Sequence, residues 1–431
     1  MTATRSYARP VAGGTPGADA PSRVERYLAV RDLTEALAAP LSAEDQTVQS
    51  MPDASPTKWH RAHTTWFFDE FVLQPHHRAY EPFDPAFRFL FNSYYEAVGP
   101  RHPRAARGVV SRPGTEEVGA FRTHVDAAIV ELLDTDPSPE VLALVELGCN
   151  HEQQHQELLL MDIKHALAQN RIDPVYRPSR HVAGPAAERR WIGHPGGKLV
   201  VGHDGDGFAY DNEGPAHPVW LEPFELASRA VTNGEVLAFI EDGGYARSDL
   251  WLSDGWATVQ AEGWQAPLYW RAEDAGWSVF TLGGRLPVDP HEPACHLSYY
   301  EADAIARWFG ARLPTEAEWE AVASAQEPVG NLLDVEVLHP RPTSAGGPEV
   351  GQLFGDVWEW TGSAYLPYPG FQPAPGAVGE YNGKFMVSQH VLRGGACVTP
   401  PGHVRSTYRN FFPPSARWAF SGVRLARGAG A

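Results

Sequence analysis

The first half of the chain spaces its apolar residues three and four apart, the period of a helix with one buried face. From Arg23 to about Asn170 this pattern fills RVERYLAVRDLTEALAAPL, EEVGAFRTHVDAAIVELLDT and EVLALVELGCNHEQQHQELLLMDIKHALAQN, and an antiparallel helical bundle is the architecture it predicts. Ser55-Pro56 and Ser138-Pro139 each predict a helix start, with a hydroxyl at the cap and a proline at the first helical position, where its missing N–H costs nothing. Beyond about residue 185 the pattern breaks into short β-like runs divided by Gly and Pro, as in WIGHPGGKLVVGHDGDGFAY. Helical periodicity survives there in patches such as EADAIARWFG and PTEAEWEAVASA. The expected organisation is a disordered tail over 1–22, rich in Gly, Ala, Pro and Thr, a helical unit over 23–185 and a loop-rich α+β unit over 186–431. The stretch RIDPVYRPSRHVAGPAAERR joins the two units, and no internal repeat is visible.

Composition narrows the function. At 431 residues the chain exceeds one ordinary core, and 43% hydrophobic against 20% charged residues describes a globular protein. A formal charge of −18 opposes attraction to phosphate backbones and anionic lipid, so neither nucleic acid nor membrane is an expected partner. The scarcity of lysine, four in all, carries no mechanism. Three cysteines, Cys149, Cys295 and Cys397, without a C-x-x-C, suggest neither a disulfide framework nor a thiolate zinc site. With a polar N-terminal stretch and no run of about 18 apolar residues, the expected location is a reducing cytoplasm.

The chemistry concentrates in Asn150-His151-Glu152-Gln153-Gln154-His155. Histidines four apart lie one above the other on a helix and can chelate one ion. Val141, Leu144, Gly148, His151 and His155 form one stripe, which points both imidazoles into the bundle. Satisfied core histidines are the bland alternative, but several buried polar groups need a compensating partner, and a metal supplies one. HEQQH also matches the H-E-x-x-H of zinc hydrolases, with Glu152 as general base, although the longer metallopeptidase pattern does not follow. A third ligand is available in SPTKWHRAHTTWFF, where His63 shares a face with Trp59, Trp66 and Phe67. His60, a turn earlier beside Thr64, reads as a surface group or as support for a ligand.

These segments, with FNSYYEAVGPRHPRAARG, NEGPAHPV, RLPTEAEWE, GDVWEWTGSAY, YNGKFMV, VLRGGAC and RSTYRNFFPPSARWAFSGVRLA, make the chain resemble the ergothioneine-biosynthesis iron(II) sulfoxide synthases from about residue 23 to 427. The resemblance implies a multidomain α and α+β fold: a DinB-like four-helix bundle, then a mixed α+β domain like the formylglycine-generating enzyme, itself related to C-type lectins. It implies mononuclear non-haem Fe(II) held by His63, His151 and His155, and O2-dependent bonding of a thiol to C2 of the hercynine (Nα-trimethylhistidine) imidazole with sulfoxidation. Three neutral imidazoles leave up to three positions on such an ion, enough to gather both substrates and oxygen, and redox-inert zinc could not activate the oxygen. Cys397 follows Arg393-Gly394-Gly395 without a later partner, so the copper-binding cysteine pair of the formylglycine-generating enzyme is missing. GDVWEW at 355–360 and RLPTEAEW at 312–319 read as scaffolding.

A trimethylammonium donates no ordinary hydrogen bond, so Phe411 and Phe412, with Trp418 as a further candidate, could hold it by cation–π attraction, or could equally pack the core. By resemblance Gln154 and Asn410 position hercynine. Arg104 and Arg107 are candidates to grip the thiol donor's carboxylate. Tyr94 and Tyr95, in FNSYY, match the variant that uses free cysteine, where one tyrosine of the pair acts as proton donor and sequence does not say which. Phe412 stands where a carboxylate would suit a glutamyl amine, so cysteine is preferred over γ-glutamylcysteine. Further readings are ovothiol-type coupling of cysteine to histidine, and a metal-stabilised thiol-binding module without turnover.

Overall fold

A computed structural model describes residues 21–343 and 347–430. Four long helices dominate the first part: α1 (Arg23–Ala38), α2 (Thr57–Phe68), α3 (Thr115–Asp134) and α4 (Pro139–Ala168). Helix α2 lies against α1, α3 and α4 and is buried at all twelve positions, polar ones included. Trp66, Phe67 and Phe68 of α2 share a core with Phe121, Val125 and Ile129 of α3. The side chains of Phe67 and Phe68 need room, and Gly148 of α4 provides it. A Cβ there would lie 2.4 Å from the Phe68 ring and 3.0 Å from that of Phe67. The missing side chain lets α2 and α4 approach one turn before His151.

The helix starts are met differently. Ser138 caps α4, its hydroxyl accepting from Val141 N–H, with Pro139 at the first position. Ser55 does not cap α2: Pro56 occupies the cap position, and Ser55 Oγ instead accepts from Arg107 Nη1 at 2.9 Å. Ser22, assigned to the tail by sequence, caps α1 through reciprocal bonds with Glu25 of 2.7 and 3.1 Å. Residues 1–20 of the expected tail lie outside the described residues.

Helix α4 ends at Ala168, and an extended connector leads to the first strand, β1 (Trp191–His194). A hairpin of β2 (Gly197–Val201) and β3 (His217–Leu221) follows, and β4 (Phe224–Ala227) pairs with β1. After α5 (Asn233–Glu241) and α6 (Ser253–Glu262) comes an antiparallel meander of β5 (Trp270–Glu273), β6 (Gly276–Thr281) and β7 (Gly284–Pro287). Helices α7 (Tyr299–Trp308) and α8 (Glu316–Ala323) precede β8 (Trp358–Ala364), β9 (His390–Arg393) and β10 (Asn410–Phe412). With β11 (Ser421–Gly422) these strands form a sheet of order β10-β9-β8-β11, and β12 (Ala426–Gly428) completes the sheet of β1 and β4.

The two parts share material. Residues 159–164 of α4 are all buried, and Leu159, Leu160 and Met161 belong to the core of the second part. A helix enclosed on every side from Leu159 explains the apolar Leu159-Leu160-Met161 run. Much of GDVWEW and RLPTEAEW is indeed internal support: Glu359 pairs with Arg424 where both are fully buried, and Arg312 pairs with Glu318, which closes the capping box of α8. Among the described residues no helix is long and apolar enough to cross a membrane.

Candidate metal centre and substrate pocket

Helix α2 presents His63, and α4 presents His151 and His155. The three ring centroids stand 4.7–5.0 Å apart, and one nitrogen from each ring falls within 4.8 Å of the others. The His63 ring lies between Trp59 at 4.5 Å and Trp66 at 5.6 Å, both nearly parallel to it. Its Nδ1–H donates to the Phe91 carbonyl at 2.6 Å, which leaves Nε2 with a free lone pair. His155 likewise uses Nδ1 on His60 at 2.8 Å and keeps Nε2 free. Burial, followed by the neighbouring histidines, holds His63 and His155 well below the usual imidazole value, and burial takes His151 down to about 4. All three are therefore neutral donors near pH 7. An all-imidazole set without thiolate suits a divalent first-row transition ion and leaves positions for other ligands.

His60 is not on the surface. It is buried, with Nδ1 on His155 and Nε2 on Asp162 at 3.0 Å, so neither nitrogen is left for an ion. Glu152 faces away from the three histidines, as the residue next to His151 on the same helix must. It is fully buried, accepts from Arg122 at 2.9 Å and Thr34 at 2.6 Å, and pairs with Arg31. Burial opposes its charge, but Arg31 and Arg122 prevail and hold the carboxyl at about 2. A general base of the hydrolase kind is not available from it, since it does not line the cavity onto which the three histidines open and its lone pairs are committed.

The three histidines open on a cavity of about 280 Å³. The structure brings to its walls Tyr94, Tyr95, Arg104 and Arg107 from the first part, with Gln154 of α4, and Asn410, Phe411, Phe412 and Trp418 from the second. Arg107 is buried over the face of Trp59, 3.4 Å from the ring centre, and donates only to the hydroxyls of Ser55 and Ser93, both at 2.9 Å. Burial depresses its pKa to about 9. Arg104 donates to the Tyr94 hydroxyl and the Asp53 carbonyl. Among the described residues neither arginine has a carboxylate within salt-bridge distance, so the buried Arg107 lines the cavity without a direct ion-pair partner, although the Asp162 carboxylate stands on the same cavity.

The second part of the chain also matches the family model of the sulfatase-modifying factor enzyme 1-like domain over residues 182–334 and 341–429. Hercynine oxygenase of Mycolicibacterium smegmatis is 35% identical over 361 residues, covering 75% of this chain and 81% of that one. The chain belongs to the hercynine oxygenase family. Its counterpart from Mycolicibacterium thermoresistibile is 32% identical over 80% of each chain. The formylglycine-generating enzyme of Streptomyces coelicolor, 29% identical, covers 50% of this chain and 80% of its own. Cys397 is free and buried, as is Cys295, whose thiol burial pushes up to about 12.

In this member of the hercynine oxygenase family the two adjacent tyrosines have different surroundings. The Tyr94 hydroxyl accepts from Arg104, and its ring meets Phe385 edge-on at 5.0 Å. Tyr95 packs near Trp66 at 5.6 Å and Phe71 at 5.1 Å, and burial raises its pKa. Among the described residues the Tyr95 hydroxyl has no hydrogen-bond partner. The loop that carries both is gripped by the second part: the Glu380 carboxylate accepts from Glu96 N–H and Ala97 N–H, each at 2.9 Å, and Lys384 Nζ donates to the Tyr94 carbonyl. Gln154 Nε2 donates to the Tyr408 hydroxyl at 2.7 Å, which aims its carbonyl elsewhere. Asn410 Oδ1 accepts from Phe411 N–H at 2.9 Å, leaving its NH2 free. Phe411 stacks on Tyr365 at 4.1 Å, while Phe412 meets Trp418 edge-on at 5.5 Å.

Sequence reasoning did not single out Tyr381, Tyr408, Asp162, Glu157 or Trp358, all of which line the cavity. Tyr381 and Trp358 sit inside recognisable motifs, YNGKFMV and GDVWEW, but motif membership does not say which side chain faces inward. Trp358 Nε1 donates to Glu157 at 2.7 Å, and Thr399 donates to the other oxygen of that carboxylate. Burial raises Glu157 to about 7.

Proposed function

We propose that the chain is a mononuclear non-haem iron(II) sulfoxide synthase of ergothioneine biosynthesis, which joins the sulfur of cysteine to C2 of the hercynine imidazole and oxidises the sulfur with O2. His63, His151 and His155 would hold the ion. When bound, iron(II) supplies the redox chemistry that activates oxygen and open positions where substrates can meet. The observation that carries the reading is three neutral imidazoles, two buried and one half-buried, with a nitrogen of each within 4.8 Å of the others, on a cavity that also holds a guanidinium without a salt-bridge partner among the described residues. A relative named "Ergothioneine biosynthesis protein 1", from Schizosaccharomyces pombe, is 28% identical over half of this chain and supports the pathway.

The chain's own residues divide the remaining work. Arg107, with Arg104 at the rim, receives the carboxylate of the thiol donor, and the anion supplies what the buried guanidinium lacks. Gln154 through its carbonyl and Asn410 through its NH2 orient hercynine, and the Phe411, Phe412 and Trp418 rings face its trimethylammonium. Tyr95 holds a proton at Oη toward the reacting sulfur, with Tyr94 fixed by Arg104 as the neighbour that shapes the thiol side. The Phe412 ring, edge-on to Trp418, offers nothing to a glutamyl amine, which favours cysteine over γ-glutamylcysteine. The helical part belongs in this reading to the DinB-like bundles, with domains at 23–185 and 186–431, and the reaction runs in the cytoplasm.

The test is anaerobic Fe(II) loading, then oxygen with hercynine and cysteine, with γ-glutamylcysteine and histidine in parallel, and products identified by mass and NMR. A C2-linked hercynylcysteine sulfoxide is expected, and His63→Ala should abolish it while the chain stays folded. Absence of oxygen uptake with every pair in an iron-loaded sample would overturn the proposal.

A further inference from the structure

Beside the three histidines a second line of polar groups runs along the wall of the same cavity. His60 Nδ1 and His155 Nδ1 face each other at 2.8 Å, His60 Nε2 reaches Asp162 Oδ2 at 3.0 Å, and Ser55 N–H donates to the same oxygen at 2.7 Å. All four residues are buried or nearly so, and Asp162 Oδ1 has no partner. Two facing ring nitrogens can share only one proton, so one ring must donate and the other accept. A carboxylate accepts only, which obliges His60 to carry its proton on Nε2. His60 Nδ1 is then the acceptor, and the proton between the rings belongs to His155 Nδ1.

We infer that Asp162 and His60 form a positioning relay that fixes the proton of His155 on Nδ1 and so keeps its Nε2 lone pair aimed at the metal. The inference rests on the metal reading above and adds to it two residues that act on the metal through His155. His63 obtains the same result from the Phe91 carbonyl, at 2.6 Å. His151 has no such support: its Nδ1 is buried without a partner. Of the two ligands on α4, only His155 is locked by a side chain. Groups that orient a ligating histidine typically change metal affinity about 10–100-fold when removed. The same Asp162 oxygen also holds Ser55, whose hydroxyl supports Arg107, so one carboxylate anchors both the metal side and the thiol side of the cavity.

The measurement is the dissociation constant of Fe(II) and Co(II) for the full chain, with the Co(II) ligand-field spectrum and the melting temperature of the metal-free protein alongside. His60→Leu keeps bulk but removes the acceptor and should weaken both ions about 10–100-fold and alter the Co(II) spectrum. His60→Asn returns a carbonyl oxygen near the place of Nδ1 and should recover most of the loss. Asp162→Asn keeps an acceptor for both Ser55 and His60, so its affinity should stay within a few-fold of wild type. Wild-type affinity in His60→Leu, or equal loss in His60→Leu and His60→Asn, would overturn the relay. Failure of the wild-type chain to bind either ion would instead overturn the metal reading. Should the His60 variants not fold, 15N-histidine NMR of the zinc-loaded wild type decides: a one-proton coupling between the two Nδ1 atoms, with the proton on His155, is expected, and a proton on His60 Nδ1 sinks the inference.

Discussion

Glu152 shows how little a residue's neighbours in sequence say about its role. In HEQQH it occupies the general-base position of a hydrolase motif, yet it is a buried counter-charge for Arg31 and Arg122. Removing its charge strands two guanidinium groups, and breaking a buried pair costs about 3–5 kcal/mol. Glu152→Gln is therefore expected to lose stability on that scale in denaturant unfolding at pH 7. The pH dependence has a definite sign. The folded pKa, about 2, lies below the usual 4.5, so the carboxylate's contribution is full above pH 4.5 and lost as pH falls toward 2. In Glu152→Gln the stability decline across that window should flatten, and an unchanged acid limb would refute the assignment. The histidines were legible because i, i+4 spacing is a property of any helix. Between His60 and His63 the sequence yields only a preference for His63 as the inward candidate ligand, since both lie on a helix buried at every position.

At the scale of elements, Gly148 is the position where sequence offered a stripe and structure supplied a reason. The stripe from Val141 to His155 placed it correctly on the inward face, but the need for glycine comes from the Phe67 and Phe68 rings of another helix. Gly148→Ala introduces a methyl group where a ring atom already sits 2.4 Å away, and overpacking of this kind costs about 1–3 kcal/mol. Calorimetry should show a lower melting temperature, and metal affinity should fall with it, because α2 and α4 must separate and each carries part of the candidate ligand set. A melting temperature equal to wild type would mean that the rings simply turn aside. Long helices were readable from their period and the Ser138 cap from its local chemistry. The Ser55 cap was not, because a tertiary partner, Arg107, takes the hydroxyl.

At the scale of the molecule, the cavity exists only because α4 is shared. Its first half belongs to the helical core and residues 159–164 to the core of the second part, so His151 and His155 sit at the seam. The second part also reaches back over the tyrosine loop through Glu380 and Lys384. Glu380→Ala should raise hydrogen–deuterium exchange at Glu96 and Ala97 by tenfold or more while leaving the melting temperature nearly unchanged, since few apolar contacts are lost. Unchanged exchange there would show that the loop holds itself. By itself the sequence determined what local periodicity and residue chemistry can dictate: long helices, a change of texture near residue 185, a histidine pair on one face, and a set of motifs specific enough to mark a family. Tertiary structure alone decided which polar groups meet. The orientation of Glu152, the His60–Asp162 relay, the unpaired charge of Arg107 and the different settings of Tyr94 and Tyr95 all depend on contacts between residues distant in the chain. Burial then changes the energy of each charge and hydrogen bond, and no pattern along the chain records that change.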